Sequence, residues 1–199
     1  MIRRIALLAI IAALAIFAAP KILDIPAGIR HVESILFPVL HKDIINRYAG
    51  IYKEDPLFVI SLIKVESNFF RKAKSARGAM GLMQIMPGTA KEIARELKMQ
   101  DFDVKSLENP DINIHIGFHY IAKLRKEFGD DITVLGAYNA GGKNVREWLK
   151  NSGRKTLAVE NIEFNETKKF AQDVLFTYRW LKKIQKARNR LLSYHGSPT

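Results

Sequence analysis

The sequence predicts a mostly α-helical domain preceded by an N-terminal apolar helix. Three observations carry this. From His41 to about Arg190 the apolar residues recur at three- and four-residue spacing. Helix-start and helix-stop residues cut that stretch into segments of ordinary helix length. Only residues 156–164 have any strand character.

The elements follow in order. Met1-Ile-Arg-Arg4 is basic, and Ile5–Ala19 is a run of fifteen Ile, Leu, Ala and Phe residues ended by Pro20-Lys21. A basic start followed by an apolar run is the pattern of a secretory signal or a signal-anchor. Fifteen residues of helix reach about 22 Å, short of the ~30 Å hydrocarbon core, but Ile22 and Leu23 can extend the span. Pro20 directly after Ala19 disfavours cutting there. An uncleaved single-pass anchor over residues 1–20 is therefore expected, with Arg3 and Arg4 on the cytoplasmic side and the rest of the chain outside. The alternative is export to the periplasm or cell wall after signal cleavage. Residues 21–41, broken by Pro26, Gly28 and Pro38, read as a juxtamembrane linker.

Asp55-Pro56 is an N-cap with proline at the first helical position, opening a helix to about Phe70. Residues 71–81 form a loop with Gly78 and Gly81. Thr89-Ala-Lys-Glu92 has the form of a capping box. Asn109-Pro110 opens a further helix that Gly129 closes. Asp131–Tyr138 and Lys143–Lys150 are short helices separated by Gly141-Gly142. Phe170, Val174, Thr177, Leu181 and Ile184 mark a long last helix. A compact domain over residues 42–187 and a basic tail over 188–199 result, with Lys182, Lys183, Lys186, Arg188 and Arg190 expected on a solvated face.

The 199 residues carry 32 Lys+Arg against 20 Asp+Glu, a net charge of +12, and contain no cysteine. The missing cysteine excludes a disulfide scaffold, a thiol nucleophile, a Cys-ligated metal site and a lipidated N-terminal Cys. The charge suits an anionic partner. An exported chain without a nucleic-acid motif makes wall polymers and lipid headgroups the better candidates, and no nucleic acid is expected. His115 and His119 have the i, i+4 spacing of a zinc pair. The helical wheel puts them beside Lys123 and Lys126 on the solvent side, and no third ligand is evident, so no metal is expected. A cofactor is not expected either.

One carboxylate falls in an unusual place. On the helix that starts at Pro56, the wheel turns Ser61 and Lys64 to water and puts Glu66 opposite them, near Val59, Leu62 and Ile63. A glutamate on an apolar face is either paired or desolvated, and desolvation raises its pKa into the range of a general acid.

The surroundings of Glu66 resemble a known family. Val65-Glu66-Ser67-Asn68-Phe69, then Ser75, then Gly78-Ala-Met-Gly-Leu-Met-Gln-Ile-Met-Pro-Gly-Thr-Ala90 are similar to the first two motifs of the soluble lytic transglycosylases, glycoside hydrolase family 23. Asn109-Pro-Asp-Ile-Asn113 with Gly117 and Tyr120 resembles the third block, Ala137-Tyr-Asn-Ala-Gly141 the fourth, and Asn165-Glu-Thr-Lys-Lys-Phe170 the last. The blocks occur in the family's order over about residues 42–185. Lys168 and Phe170 stand where that last motif has Arg and Tyr.

The resemblance implies a lysozyme-like helical fold of the goose-type lysozyme and transglycosylase kind. It implies cleavage of the β-1,4 bond between N-acetylmuramic acid and N-acetylglucosamine in peptidoglycan, leaving 1,6-anhydromuramic acid ends. Glu66 matches the single catalytic acid/base. Ser75 matches a serine at the reaction centre, and Gln84 and Met86 match cleft-lining residues. Tyr138 and Asn139 match the cleft tyrosine and its neighbour, and Glu166 a glutamate near the peptide stem. Peptidoglycan glycan strands are then the partner, with the membrane through the N-terminal helix, and a monomer is expected. A goose-type lysozyme that hydrolyses the same bond is the alternative. Asn113, inside an apolar stripe with Gly117, Tyr120, Leu124 and Phe128, is expected to brace the cleft from below and not to touch substrate.

Overall fold

The computed structural model describes residues 41–195, with side chains through Arg190. The N-terminal apolar run, its expected anchor and the 21–40 part of the linker lie outside the described residues. Among the described residues no helix is long and apolar enough to cross a membrane.

Seven α-helices are present among the described residues: α1 (Lys42–Tyr52), α2 (Pro56–Ser67), α3 (Pro87–Glu96), α4 (Pro110–Phe128), α5 (Asp131–Ala140), α6 (Gly142–Ser152) and α7 (Asn165–His195). Short 3₁₀ turns lie at Val104–Glu108 and Val159–Asn161. The α2 and α4 starts follow the predicted chemistry. Asp55 and Asn109 each accept from the backbone N–H two residues on, Leu57 and Asp111, at 2.8 and 2.9 Å, and each is followed by Pro at the first helical position. Gly129 closes α4 as expected, with φ 81°.

α4 is the central element. α1, α3 and α5 pack against it, and α6 packs on α5. Asn113, Ile114, Ile116, Gly117, Phe118, Ile121, Leu124 and Phe128 of α4 are buried. A partly buried ion network closes one end of the packing. Glu54 accepts from Arg125 Nε at 2.8 and 3.1 Å, and Arg125 also donates to Asp131 at 2.7 Å and to the Gly129 carbonyl at 3.1 Å. This joins the α1–α2 turn to the α4–α5 turn. Asp55 does the same for α7, accepting from Tyr178 Oη at 2.7 Å and Lys182 Nζ at 3.0 Å in addition to its cap.

Five expectations change. Ser61 is fully buried, not solvent-facing: Phe58 through Ile63 are all buried, so the middle of α2 has no water side, and Ser61 satisfies its hydroxyl on the Leu57 carbonyl at 2.6 Å. The same helix ends at Ser67 and not near Phe70, because Asn68 and Phe69 both take left-handed backbone, φ 48° and 64°. The Thr89 capping box does not form. Pro87 starts α3 three residues earlier than that cap would, with Met86 at the N-cap and no side-chain cap. Residues 156–164 form no strand. The segment buries Leu157 and Ile162 by running over the core, and the Leu157 N–H donates to Thr133 Oγ1 at 2.8 Å. The histidines are not on the solvent side. His115 stacks on Tyr48 with ring centroids 4.4 Å apart and sits 3.0 Å from Tyr52 Oη, and His119 Nε2 lies 2.8 Å from Glu96. The wheel missed this because α1 and α3 both cover that side of α4. In addition, Lys182 is tied to Asp55 and α7 continues to His195, through much of the expected tail.

Candidate active site

Glu66 lies in the last turn of α2 and has no hydrogen-bond or ion-pair partner among the described residues. Burial pushes its carboxyl up to about 8, and the negative charge of Glu166 adds to the effect. The C-terminal end of a helix also disfavours a negative charge, so position, burial and neighbour act in the same sense. Ser67, next along, turns away and donates to the Ile63 carbonyl at 3.1 Å.

The segment between α2 and α3 is folded back on itself by two isolated antiparallel bridges, Lys74 with Met80 and Met80 with Ile85. Ser75 holds its tip: Oγ accepts from Ala79 N–H at 3.0 Å, and the Ser75 N–H donates to Ala79 O at 3.0 Å. That leaves the hydroxyl proton of Ser75 available to a ligand. Gln84, at φ 46°, uses both amide protons inside the loop, on the Ala73 carbonyl at 3.1 Å and the Gly81 carbonyl at 2.9 Å. Only its carbonyl oxygen is left to accept.

Asn113 supports the loop from α4. It is fully buried; Oδ1 accepts from Met83 N–H at 2.8 Å, and Nδ2 donates to the carbonyls of Met80 and Leu107 at 3.0 Å each. Gly81, with φ 79°, lies directly against the Asn113 amide and the Leu107 carbonyl, and any Cβ there would overlap both. Gly117 does the same for Met83. Close approach of loop and helix thus requires both glycines.

Tyr138 of α5 reaches the loop from the other side, its hydroxyl donating to the Met83 carbonyl at 2.6 Å. Burial, then the charge of Glu66 and the Tyr120 hydroxyl, hold this phenol well above its ordinary pKa, so it stays a donor. Its ring stacks on Phe170 at 6.4 Å and tilts against Tyr120 at 5.3 Å. Asn139 accepts from Thr167 Oγ1 at 2.7 Å, fixing the start of α7 against α5. Glu166, one residue earlier, is exposed and pairs with Arg77 of the loop at 3.0 Å.

Of the sequence-predicted residues, Glu66, Tyr138 and Glu166 interact electrostatically. Gln84 lies in the loop that Tyr138 grips, and Asn139 binds the residue after Glu166. Ser75 shapes the tip of that loop. Met86 stands apart as the 45% exposed N-cap of α3, with no contact that joins it to Glu66. Arg77 and Thr167 were missed. Nothing local marks either one, since each acts on a partner far along the chain. The chemistry available is a half-buried carboxyl that holds its proton more tightly than an ordinary glutamate, near a fixed phenol, with amide and hydroxyl groups around it.

A family model described as the transglycosylase SLT domain matches residues 43–160. The soluble lytic murein transglycosylase of Salmonella typhimurium is 37% identical over 150 residues, 73% of this chain and 23% of that protein. The membrane-bound lytic murein transglycosylase C of Histophilus somni is 30% identical over 159 residues, 75% of this chain and 42% of that protein. Among solved structures, the 70 kDa soluble lytic transglycosylase of Escherichia coli superposes with a TM-score of 0.67 at 35% identity, over 73% of this chain and 25% of that one. An inactive mutant of the Pseudomonas aeruginosa lytic transglycosylase Slt gives 0.65 at 35% identity, over 73% and 24%. The chain spans about a quarter of the length of the soluble relatives it matches.

Proposed function

The chain belongs to the transglycosylase SLT domain family, and from that membership we propose that it cleaves peptidoglycan between N-acetylmuramic acid and N-acetylglucosamine without water, with Glu66 as the only acid/base. The observation that carries this reading is the half-buried, unpaired Glu66 at the end of α2, whose carboxyl is pushed up to about 8 by burial and by Glu166. Glu66 gives that proton to the leaving glycosidic oxygen. The acetamido group of the same muramic acid supports the cationic centre. Glu66 then takes the proton from the muramic acid's C6 hydroxyl, which closes the 1,6-anhydro ring.

A hydrolase ordinarily brings a second carboxylate to activate water or act as nucleophile. Here the charge that reaches Glu66 is Glu166, which is exposed and engaged by Arg77. An internal hydroxyl has a high effective molarity and outruns water. Around this centre, the Ser75 hydroxyl, the Gln84 carbonyl, Tyr138 and Asn139 bind sugar groups, Met86 contacts the glycan at the cleft edge, and Glu166 meets the peptide stem. The catalytic unit is residues 42–187, acting as a monomer.

The test is the product. Muropeptides released from purified sacculi are expected to be one water lighter than those of a hydrolytic lysozyme and to resist borohydride reduction. Reducible, hydrated products would replace this reading with the goose-type lysozyme.

The same proposal places the unit outside the cytoplasm, held by residues 1–20 as an uncleaved anchor. The support is the basic start, the apolar run Ile5–Ala19 and the proline behind it. Full-length protein should remain in the membrane fraction at high salt with Met1 as its N-terminus. A soluble protein beginning near residues 16–20 would show a cleaved signal instead.

A further inference from the structure

Arg77 is engaged by less than its chemistry allows. It lies in the turn Ser75–Gly78, which the Gly78 N–H closes on the Ser75 carbonyl at 2.9 Å. A single contact, Nη2 to Glu166 Oε2 at 3.0 Å, joins it to α7. A guanidinium presents several donors in a planar fork that fits a carboxylate with two bonds at once, so most of this fork is unused. The side chain is 77% exposed. The pair is not needed to hold the loop, because Asn113, Tyr138 and the Ser75 hydroxyl already do so, and an exposed ion pair adds little to stability. The surroundings are short of negative charge. From Ser67 to Ala90 the sequence has no acidic residue. Arg71, Lys72 and Lys74 are exposed and form no ion pair among the described residues. Glu166, whose charge reaches Glu66, is the carboxylate that meets this loop.

We propose that Arg77 is a specificity-determining residue: one of its N–H groups stays on Glu166, and the free ones bind a carboxylate of the peptide stem that the muramic acid carries. This rests on the peptidoglycan reading above. The stem hangs from the sugar whose bond is cut and carries free carboxylates, so substrate brings negative charge to this part of the site. Glu166 alone would repel that charge. A guanidinium between two carboxylates attracts both, and replaces the repulsion with a bridge. Lysine would supply a point charge without the fork, so the kind of cation matters as well as its sign. Ser75, two residues before Arg77, has its hydroxyl proton free for the same ligand.

The experiment uses the full chain carrying Glu66→Gln, so that binding is read without cleavage. The probe is soluble, uncross-linked peptidoglycan strands, either native or with the stem carboxylates converted to amides. Native strands should bind about ten-fold more tightly than amidated ones, the worth of a charge-assisted hydrogen bond at an exposed site. Adding Arg77→Gln should bring the two Kd values to within about two-fold of each other, and Arg77→Lys should restore part of the difference. Lys150→Gln removes an exposed cation on α6 and should leave the ratio as it is, which separates a specific contact from bulk charge. An ion pair with a purely structural role would move the melting temperature and not the ratio. Equal Kd values for native and amidated strands, a ratio that survives Arg77→Gln, a ratio that Lys150→Gln lowers as far, or no binding of either strand would each overturn the proposal. The reading of Glu66 fails separately, on hydrated products from the wild-type chain, whatever the ratio of Kd values.

Discussion

Glu66→Gln is expected to abolish the proposed wall cleavage while leaving a folded protein. The substitution keeps the shape and removes the transferable proton, and loss of an acid/base group costs about 10²- to 10⁴-fold. Its effect on stability has the opposite sign and a defined pH window. In the folded chain the Glu66 proton is held up to about pH 8 by burial and by Glu166, whereas an exposed glutamate releases it near 4.5. Between those values the unfolded chain binds fewer protons than the folded one, so wild-type stability falls as pH rises. Below pH 4.5 the variant and wild type should melt together. The variant should gain steadily through that window and stay ahead above pH 8. Wild-type activity should fail along an alkaline limb near the same pH. Thermal melts at pH 4, 6 and 9 beside a turbidity assay on sacculi check both parts. A variant keeping more than half of the wild-type rate would remove Glu66 from the reaction, and one melting lower at pH 9 would overturn the raised pKa.

Asn113→Ala unfolds far more easily than any surface substitution. It strands the Met83 N–H and the Leu107 carbonyl in the interior, while the Met80 carbonyl loses one of two donors and keeps the Ile85 N–H. A buried group left unpaired costs about 1–3 kcal/mol, so a loss of roughly 2–6 kcal/mol is expected, about 5–20 °C in melting temperature for a domain of this size. Asn113→Asp should not rescue it, because it turns a second acceptor toward two carbonyls. Asn113→Ala should also lower activity beyond what instability explains, since Met83, gripped by Tyr138, loses its seat. Melting within 2 °C of wild type would show that water or a neighbour takes over the bonds, and that Asn113 is not the brace.

The reading of the sequence succeeded where short-range chemistry decides. Asp55-Pro56 and Asn109-Pro110 cap and start their helices within three residues, and Gly129 ends one by its own backbone freedom. Asn113 was legible because an amide inside an apolar stripe must find partners. Glu66 was legible from its motif and from its place opposite Lys64. The wheel failed where several elements converge. It assumed one wet side, and α2 has none through Ile63. It put His115 and His119 in water because it could not foresee α1 and α3 closing over α4. Thr89 looked like a cap by spacing alone, but Pro87 had already set the start of α3. Arg77 and Glu166 are 89 residues apart, and Glu54 meets Arg125 across 71; no local pattern encodes such pairs.

The loop between α2 and α3 has a consequence for how the molecule opens. A surface loop ordinarily exchanges its amide hydrogens by local fluctuation. Here the Met83 amide is bound by α4, the Met83 carbonyl by α5, and the Met80 amide and carbonyl by Ile85 within the loop. Neither Met83 bond can break without pulling on the central helix or on the neighbouring one. The segment therefore belongs to the same cooperative unit as α4, and its amides exchange only when that helix lets go. Substrate meets a loop with the stiffness of the core, so little ordering entropy is left to lose when a glycan strand binds.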